Sequence, residues 1–382
     1  MNRVVLIILC LALLLPACGR PAETGPTAAP PAAKTSGAVA KAAWEQKWDE
    51  TLAAAKSEGT VTIYSSNTPE TRQKVGEAMR AKFGIQVEWV TGGGSNELVQ
   101  KILAERNAKL YNADAMIGGT MSAMNFLKPA GALEPLEPYF ILPEVTDTSK
   151  WFQGRLWWVD KEKTHLAYAA IAMPGIVINT DMVKREEMAS YRDLLNPKWK
   201  GKILMDDPST GGPGNSWVTA IGYNILDNSF LEELAKQEPF FHTEKRTEHE
   251  WISRGKYPVL VGGSTDTLFE LKNAGISNLD SISPREGTWL SQSNGAISMI
   301  NKAPHPNAAK VLFNWILSSE GQAVVCRGQG LQSARIDVPT DWVDTFSLRQ
   351  PGVKYADAIN LESQLKKGEY ATLAKKIFAI QK

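Results

Sequence analysis

The 382-residue sequence holds only three cysteines, Cys10, Cys18 and Cys326, too few for a disulfide-stapled scaffold, so the fold has to rest on apolar cores. Charge of one sign is also missing: 42 basic residues face 41 acidic ones, for a net charge of +1, and no long Lys/Arg run occurs. Nucleic acid is excluded as a partner, because phosphate binding needs a concentrated basic face. The longest apolar run, Val4–Leu15, spans about a dozen residues, whereas a membrane-crossing helix needs roughly 20. Repeats at solenoid or propeller periods are missing, as are Gly-x-Ser-x-Gly, a Walker sequence and a spaced dinucleotide fingerprint. No nucleophile–base–orienter set and no open-position metal set suggests itself. The residues therefore predict a protein that is not an enzyme and has no cofactor and no resident metal.

What is present is the composition of a folded globular chain, 43% apolar with 30 Gly and 21 Pro. The length predicts two domains. Arg3, the short apolar run and small residues after it make a secretory signal peptide. Its end, Leu15-Pro16-Ala17-Cys18-Gly19, resembles the lipobox of bacterial lipoproteins, which implies a leader over 1–17 and lipidation of Cys18. Residues 18–42, nearly all Ala, Pro, Thr, Ser and Gly after Pro21, lack the large apolar groups that offset ordering entropy and read as a flexible tether. Cys326, after Val324 and Val325, reads as a small buried apolar residue. The expected location is extracytoplasmic, lipid-anchored on a bacterial membrane, and the expected state is monomeric.

From Trp44 onward helices and strands alternate. Trp44, Trp48, Leu52 and Ala55 share one helical face, so core filling explains these tryptophans, as it does Trp315. Val61–Tyr64 reads as a strand, Pro69 to Gly84 as a helix with its stop, and Ile85–Val90 and Ala113–Ile117 as further strands. The grammar resumes with strands at Gly175–Asn179, Gly201–Met205, Pro258–Val261 and Ala296–Ile300. Helices are predicted from Ser216, from Ser229 with Glu232 closing a capping box, and from Pro306 to just before Gly321. The remainder, to Lys382, reads as mainly helical and irregular. This is an α/β pattern with mostly parallel sheets covered by helices.

In open parallel sheets, ligands sit beyond the carboxyl ends of the strands. Those ends are rich in glycine and hydroxyls here. The candidates are Ser65, Ser66 and Asn67; Gly93, Gly94 and Ser95; Gly119 and Thr120; Ser209, Thr210 and Gly211; Gly263 and Ser264. Glycine permits close backbone approach, and helix starts offer amide protons to carboxylate or phosphate. Trp217 and Trp289 are candidates for an aromatic wall. Asp207 reads either as a ligand contact or as an organiser of its own loop.

The runs Val61–Asn67 (VTIYSSN), Ile176–Val183 (IVINTDMV), Leu194–Pro208 (LLNPKWKGKILMDDP) and Pro304–Gln322 (PHPNAAKVLFNWILSSEGQ) resemble a known family. They are similar to the solute-binding proteins of ABC importers, in the branch of ferric-iron, sugar-phosphate, polyamine and thiamine binders. The resemblance implies a two-lobed type II periplasmic-binding-protein fold, joined by two crossing strands near Leu166–Pro174 and Ser283–Gln292. It divides the chain into lobe 1 (43–167 plus 285–330) and lobe 2 (168–284 plus 331–382). It implies capture of a small-molecule solute between closing lobes and delivery to an ABC permease in the membrane. With the loop chemistry above, the expected solute is organic and anionic, carrying carboxylate or phosphate.

Two other outputs suit the same lobes: ferric-iron binding, and presentation of a solute to a receptor. Ferric members of the branch use an adjacent tyrosine pair soon after the strand that here is Pro258–Val261. The sequence has Gly262-Gly263-Ser264-Thr265 there, and no Tyr-Tyr pair anywhere. The alternation of Glu, Lys and Arg around His242, Glu244, His249 and Glu250 reads as a solvated helix face rather than a metal site. Arg246 and Arg254, in the same segment, read as surface charges or as a clamp for an acid. His165 lies near the first crossing, and His305 starts a helix.

Overall fold

The computed structural model describes residues 41–380. The expected leader over 1–17, the lipidation candidate Cys18 and the tether up to residue 40 lie outside them. In chain order the first half holds α1 (Ala43–Glu58), β1 (Thr60–Ser65), α2 (Pro69–Phe83), β2 (Gln86–Val90), α3 (Ser95–Asn107) and β3 (Ala115–Ile117). Short strands follow: β4 (Leu133–Glu134), β5 (Trp157–Trp158), β6 (Leu166–Ala167) and β7 (Ile171–Ala172). Next come β8 (Ile176–Asn179), β9 (Ile203–Asp206), α4 (Pro213–Thr219), α5 (Asn228–Ala235), β10 (Phe240–His242) and α6 (Lys245–Ser253). The chain then forms β11 (Val259–Val261), α7 (Thr265–Asn273), β12 (Leu279–Ile282), β13 (Thr288–Ser291) and β14 (Ala296–Ile300). It ends with α8 (Pro306–Leu317), α9 (Ser319–Arg327), β15 (Tyr355–Asp357) and α10 (Leu361–Ile377).

These strands make two lobes and a junction. The first sheet has the order β2-β1-β3-β14-β6-β5 with β4 on β14, and the second β10-β9-β11-β8-β12. β1 is parallel to β2 and β3, and β9 to β10 and β11. β14 runs antiparallel in the first sheet, as β8 does in the second. Each sheet has its own apolar core, with Ile63, Met116, Leu166 and Phe313 in the first and Ile178, Met205, Trp217 and Phe230 in the second. A third sheet, β15-β13-β7, lies at the junction. β7 and β13 fall inside the two predicted crossings and pair antiparallel. β15, from the tail, adds to β13 in parallel, which the sequence pattern did not signal.

Local chemistry explains the element ends. α2 opens where the Thr68 hydroxyl accepts the amide of Thr71, with Pro69 in the first turn, and closes at Gly84 in the left-handed region. Two boundaries and one burial differ from the sequence reading. α8 stops at Leu317, because Ser318 is extended and its hydroxyl caps α9 by accepting the Gly321 amide at 3.1 Å. Gly321 then sits inside α9, where a Cβ would run into the carbonyl oxygen of Trp315. α5 begins at Asn228, because the nearer carboxylate of Asp227 accepts the Phe230 amide at 3.2 Å. Trp44, expected to point inward, is 39% exposed at the first turn of α1.

The tail also departs from the expected division at residue 331. Ser333 pairs with Ala169, and the Ala334 carbonyl accepts the Phe152 amide at 2.8 Å, so the segment stays on the first lobe before α10 packs on α4. Cys326 is a fully buried free thiol. Among the described residues no helix is long and apolar enough to cross a membrane.

Candidate functional site

At the carboxyl end of the first sheet, β1 delivers Ser65, Ser66 and Asn67. Ser65 is buried, and its hydroxyl accepts the Asn67 amide at 3.1 Å. Asn67 is 3% exposed, and neither end of its side-chain amide has a hydrogen-bond partner. Thr68, next in the chain, donates its hydroxyl to the carbonyl of Gly328 at 2.8 Å, which fixes this corner to the end of α9.

The neighbouring loops satisfy their own amides. The Gly119 amide donates to Ser95 Oγ at 2.8 Å, and the Gly93 amide to Glu97 Oε2 at 2.7 Å. A Cβ on Gly118 or Gly119 would lie 2.9 Å from Ser95 Oγ, so the close approach of these two loops requires glycine. In the Gly93–Ser95 loop the carboxylate that an incoming anion would supply already comes from Glu97. Thr120 starts a buried relay. Gln292 Nε2 donates to Thr120 Oγ1 at 2.6 Å, Thr120 Oγ1 is 3.1 Å from His165 Nε2, and His165 Nδ1 is 2.7 Å from Ser298 Oγ. Burial holds the His165 pKa down at about 4, so the ring is neutral and bridges the Thr120 and Ser298 hydroxyls with one nitrogen donating and the other accepting. His165 is thus an internal support with no exposed surface. The relay leaves Gln292 Oε1 buried and unpartnered.

On the second lobe β9 ends at Asp206 and runs into the Asp207–Gly212 loop. The Asp207 carboxylate accepts the Ser209 amide at 2.8 Å, and Thr210 Oγ1 donates to the Asp207 carbonyl at 3.0 Å. Asp207 therefore organises its own loop. Ser209 Oγ is buried without a partner, while Gly211 is exposed. Asn215 donates to the carbonyls of Pro208 and Lys367, at 3.2 and 3.0 Å, tying this loop to α10. At the end of β11, the Ser264 amide donates to His249 Nε2 at 3.2 Å, and Ser264 Oγ accepts the Thr267 amide at the start of α7. Gly263 has no room for a Cβ, which would lie 2.7 Å from Val177 Cγ2.

The charged segment behind these loops is not the solvated face that its alternation suggested. Glu248 and His249 are fully buried. Burial lowers the His249 pKa to about 4, and its Nδ1 lies 2.6 Å from the Lys245 carbonyl. The neutral ring donates there and holds Ser264. Burial, and then the charge of nearby Asp206, push Glu248 up to about 8. Asp206 pairs with Lys245 Nζ at 2.9 Å and accepts the Gly214 amide at 2.7 Å. Arg246 and Arg254 are exposed and pair with Glu250, so they form no clamp.

Two open spaces adjoin these loops. One, of about 190 Å³, is lined by Thr265, Asp266 and Phe269 at the start of α7, by Gln329 and Gly330 beyond α9, and by Trp342. Gln329 donates to the buried Tyr168 hydroxyl at 2.9 Å. The other, of about 30 Å³, lies between the junction strands, α4 and α10, and Trp289 lines it. Trp217 does not reach either space. It is fully buried, its ring packs on Tyr191 and Phe230, and its Nε1 donates to the Gly175 carbonyl at 2.6 Å. Helical spacing alone could not separate this inward face of α4 from one turned to the cleft. Sequence reasoning missed Gln292, just after β13, and Gln329, which lies between Gly328 and Gly330 just after α9. Tyr257 packs against Phe240 and Trp251. Among the described residues no group of three or more His, Cys, Asp or Glu is arranged to hold a metal ion.

The family profile of bacterial extracellular solute-binding proteins matches residues 74–347. An uncharacterized protein of Haemophilus influenzae is 24% identical over 289 residues, covering 73% of this chain and 79% of that one. Among solved structures, the Trichodesmium protein IdiA (FutA), in complex with iron and citrate, has a TM-score of 0.64 at 19% identity, covering 84% of this chain and 98% of that one. The periplasmic binding protein AfuA of Actinobacillus pleuropneumoniae, with fructose-6-phosphate bound, has a TM-score of 0.56 at 20% identity, covering 85% and 99%.

Proposed function

The chain belongs to the bacterial extracellular solute-binding proteins, and from that premise we propose that it captures a small anionic organic solute between its lobes and delivers it to an ABC permease. The family makes it an extracytoplasmic binding protein of an import system and not an enzyme. The finer reading rests on one observation: Asn67, Gln292 and Ser209, at strand ends of both lobes, keep buried polar atoms without partners. A buried donor or acceptor left unpaired costs about 1–3 kcal/mol, so a solute that completes these groups recovers that energy on binding. Asn67 and Ser209 offer an amide and a hydroxyl to carboxylate or phosphate oxygens, and Phe269 and Trp342 suit an apolar portion. A solute touching both lobes favours the closed form over the open one, with β7 and β13 as the pivot. Lipidation at Cys18, the 18–42 tether and a monomeric state complete the proposal, keeping the lobes near the permease.

Native mass spectrometry of freshly purified protein, followed by a thermal-shift panel of organic acids, phosphate esters, ferric chloride and ferric citrate, tests the reading. The expected result is a bound organic acid or phosphate ester that also gives the largest shift. Ferric ion alone giving the largest shift would overturn it in favour of an iron binder.

A further inference from the structure

Behind the Ser209 loop, at the end of β9, two buried carboxyls meet. Asp206 and Glu248 have no exposed surface, and the Glu248 side chain is in hydrogen-bond contact with that of Asp206. Of their four oxygens, Asp206 Oδ1 accepts the Gly214 amide at 2.7 Å, and among the described residues the other three have no hydrogen-bond donor. One cation serves the pair: Lys245 Nζ stands 2.9 Å from Asp206 Oδ2 and donates to the Thr243 carbonyl at 3.0 Å. His242 supplies no second one. Its Nδ1, 3.8 Å from Glu248 Oε1, accepts the Glu244 amide at 3.1 Å and so presents a lone pair there. Glu244 itself accepts the Arg246 and Thr247 amides at the start of α6. β8 and β11, which pack on α6, carry no titratable side chain. From α7, Glu270 faces Arg246 and Lys272 faces Asp344, while Asp266 is exposed. Two carboxylates in contact away from water cannot both stay ionised. A proton between Glu248 and Asp206 Oδ2 supplies the missing donor and, with Lys245 charged, makes the cluster neutral. Burial and the Asp206 charge, which push Glu248 up to about 8, keep that proton in place at neutral pH. The cluster supports both strand ends of this lobe. A Cβ on Gly212 would lie 3.4 Å from both Asp206 Oδ1 and Lys245 Nζ, so the Ser209 loop rests on it. His249, the residue after Glu248, holds the Ser264 amide.

We propose that Asp206 and Glu248 share one proton, and that this proton positions the second-lobe half of the cleft. While it is held, the Ser209 loop and the Ser264 amide stay in place to receive a solute. Its loss leaves one uncompensated negative charge directly behind that loop, drives the carboxylates apart and loosens Asp206 from Gly214. The consequence for binding rests on the anionic-solute reading above. An anion beside the loop favours the protonated pair, so by linkage capture takes up a proton and alkaline pH releases the solute.

The test uses the full chain as wild type, as Glu248→Gln, whose amide keeps a donor toward Asp206 but cannot titrate, and as Glu233→Gln, an exposed control. Infrared spectra of wild type and E233Q should show a protonated-carboxyl C=O band that disappears as one proton leaves around pH 8, and E248Q should lack it. Hydrogen exchange of residues 207–216, corrected for its intrinsic pH dependence, should quicken about tenfold in wild type over one pH unit above that point and stay level in E248Q. Native mass spectrometry of freshly purified protein should find the carried solute at least about tenfold depleted between about pH 7 and 9 in wild type and retained in E248Q. No titrating band in wild type, or the same band in E248Q, overturns the shared proton. A band that titrates without the change in exchange overturns its positioning role. An anionic solute held equally at both pH values overturns the link to binding. A carried solute that is uncharged or cationic sinks the anionic reading instead, and the infrared and exchange results then decide the proposal by themselves.

Discussion

The Gly119 amide donates to the Ser95 hydroxyl across 2.8 Å, so the end of β3 and the start of α3 are one bonded unit and not two independent ligand loops. Ser95→Ala should cost about 1 kcal/mol of stability, read by urea unfolding. Gly119→Ala should cost more, since its Cβ would lie 2.9 Å from Ser95 Oγ and 3.0 Å from Ser95 Cβ. A bulky residue at 95 therefore damages the fold, and an S95A protein as stable as wild type would contradict this.

Asn67→Leu separates binding from folding. The substitution keeps the approximate volume and removes a buried amide that has no partner. Its melting temperature should equal or exceed that of wild type, because an unpaired polar group is lost. Solute affinity should fall by about tenfold or more, measured by calorimetry with the solute found by mass spectrometry. Full affinity in Asn67→Leu would remove Asn67 from the site.

Stability should peak near pH 6.5. His165 and His249 hold their protons only below about 4 in the fold, against 6.5 when free. The unfolded chain therefore binds their protons first, and stability is lost as pH falls from about 6.5 to 4. Glu248 behaves oppositely: its proton stays to about 8 in the fold and leaves at 4.5 when free. Stability therefore declines as pH rises from 4.5 to 8, by at most about 1.4 kcal/mol per pH unit for one proton. Below 6.5 two histidines outweigh one carboxyl, and above it the carboxyl acts alone. Glu248→Gln should flatten the alkaline decline, as followed by melting temperature at fixed salt. An unchanged pH profile in that variant would refute the assignment.

Trp217→Phe should lower stability by about 2 kcal/mol, through lost volume beside Tyr191 and Phe230 and the lost hydrogen bond to Gly175. Solute affinity of the folded protein should not change, since the indole is walled off from both open spaces. A selective loss of affinity at full stability would return Trp217 to the site.

Much of this architecture is legible from local chemistry. Thr68-Pro69 and Gly84 bracket α2, whereas the two crossings follow from the family resemblance and not from local pattern. What is hidden depends on neighbours distant in sequence. Glu248 and His249 look solvated among their charged neighbours, yet Asp206 and Ser264 draw them inside. Of the strand-end glycines, Gly119 approaches Ser95 and Gly263 approaches Val177, while Gly94 and Gly211 face open space.

The pivot takes its third strand from Tyr355–Asp357, and the second lobe takes α10 from the residues after it. A nascent chain therefore cannot complete the junction sheet until Asp357 has been made, well after the strands of both central sheets. Any product ending before Tyr355, whether from proteolysis or premature termination, keeps the β7–β13 pair but leaves the Thr288–Leu290 edge of β13 uncovered, even when both central sheets are intact. A strand distant in sequence thus decides whether the junction presents a covered or a bare sheet edge.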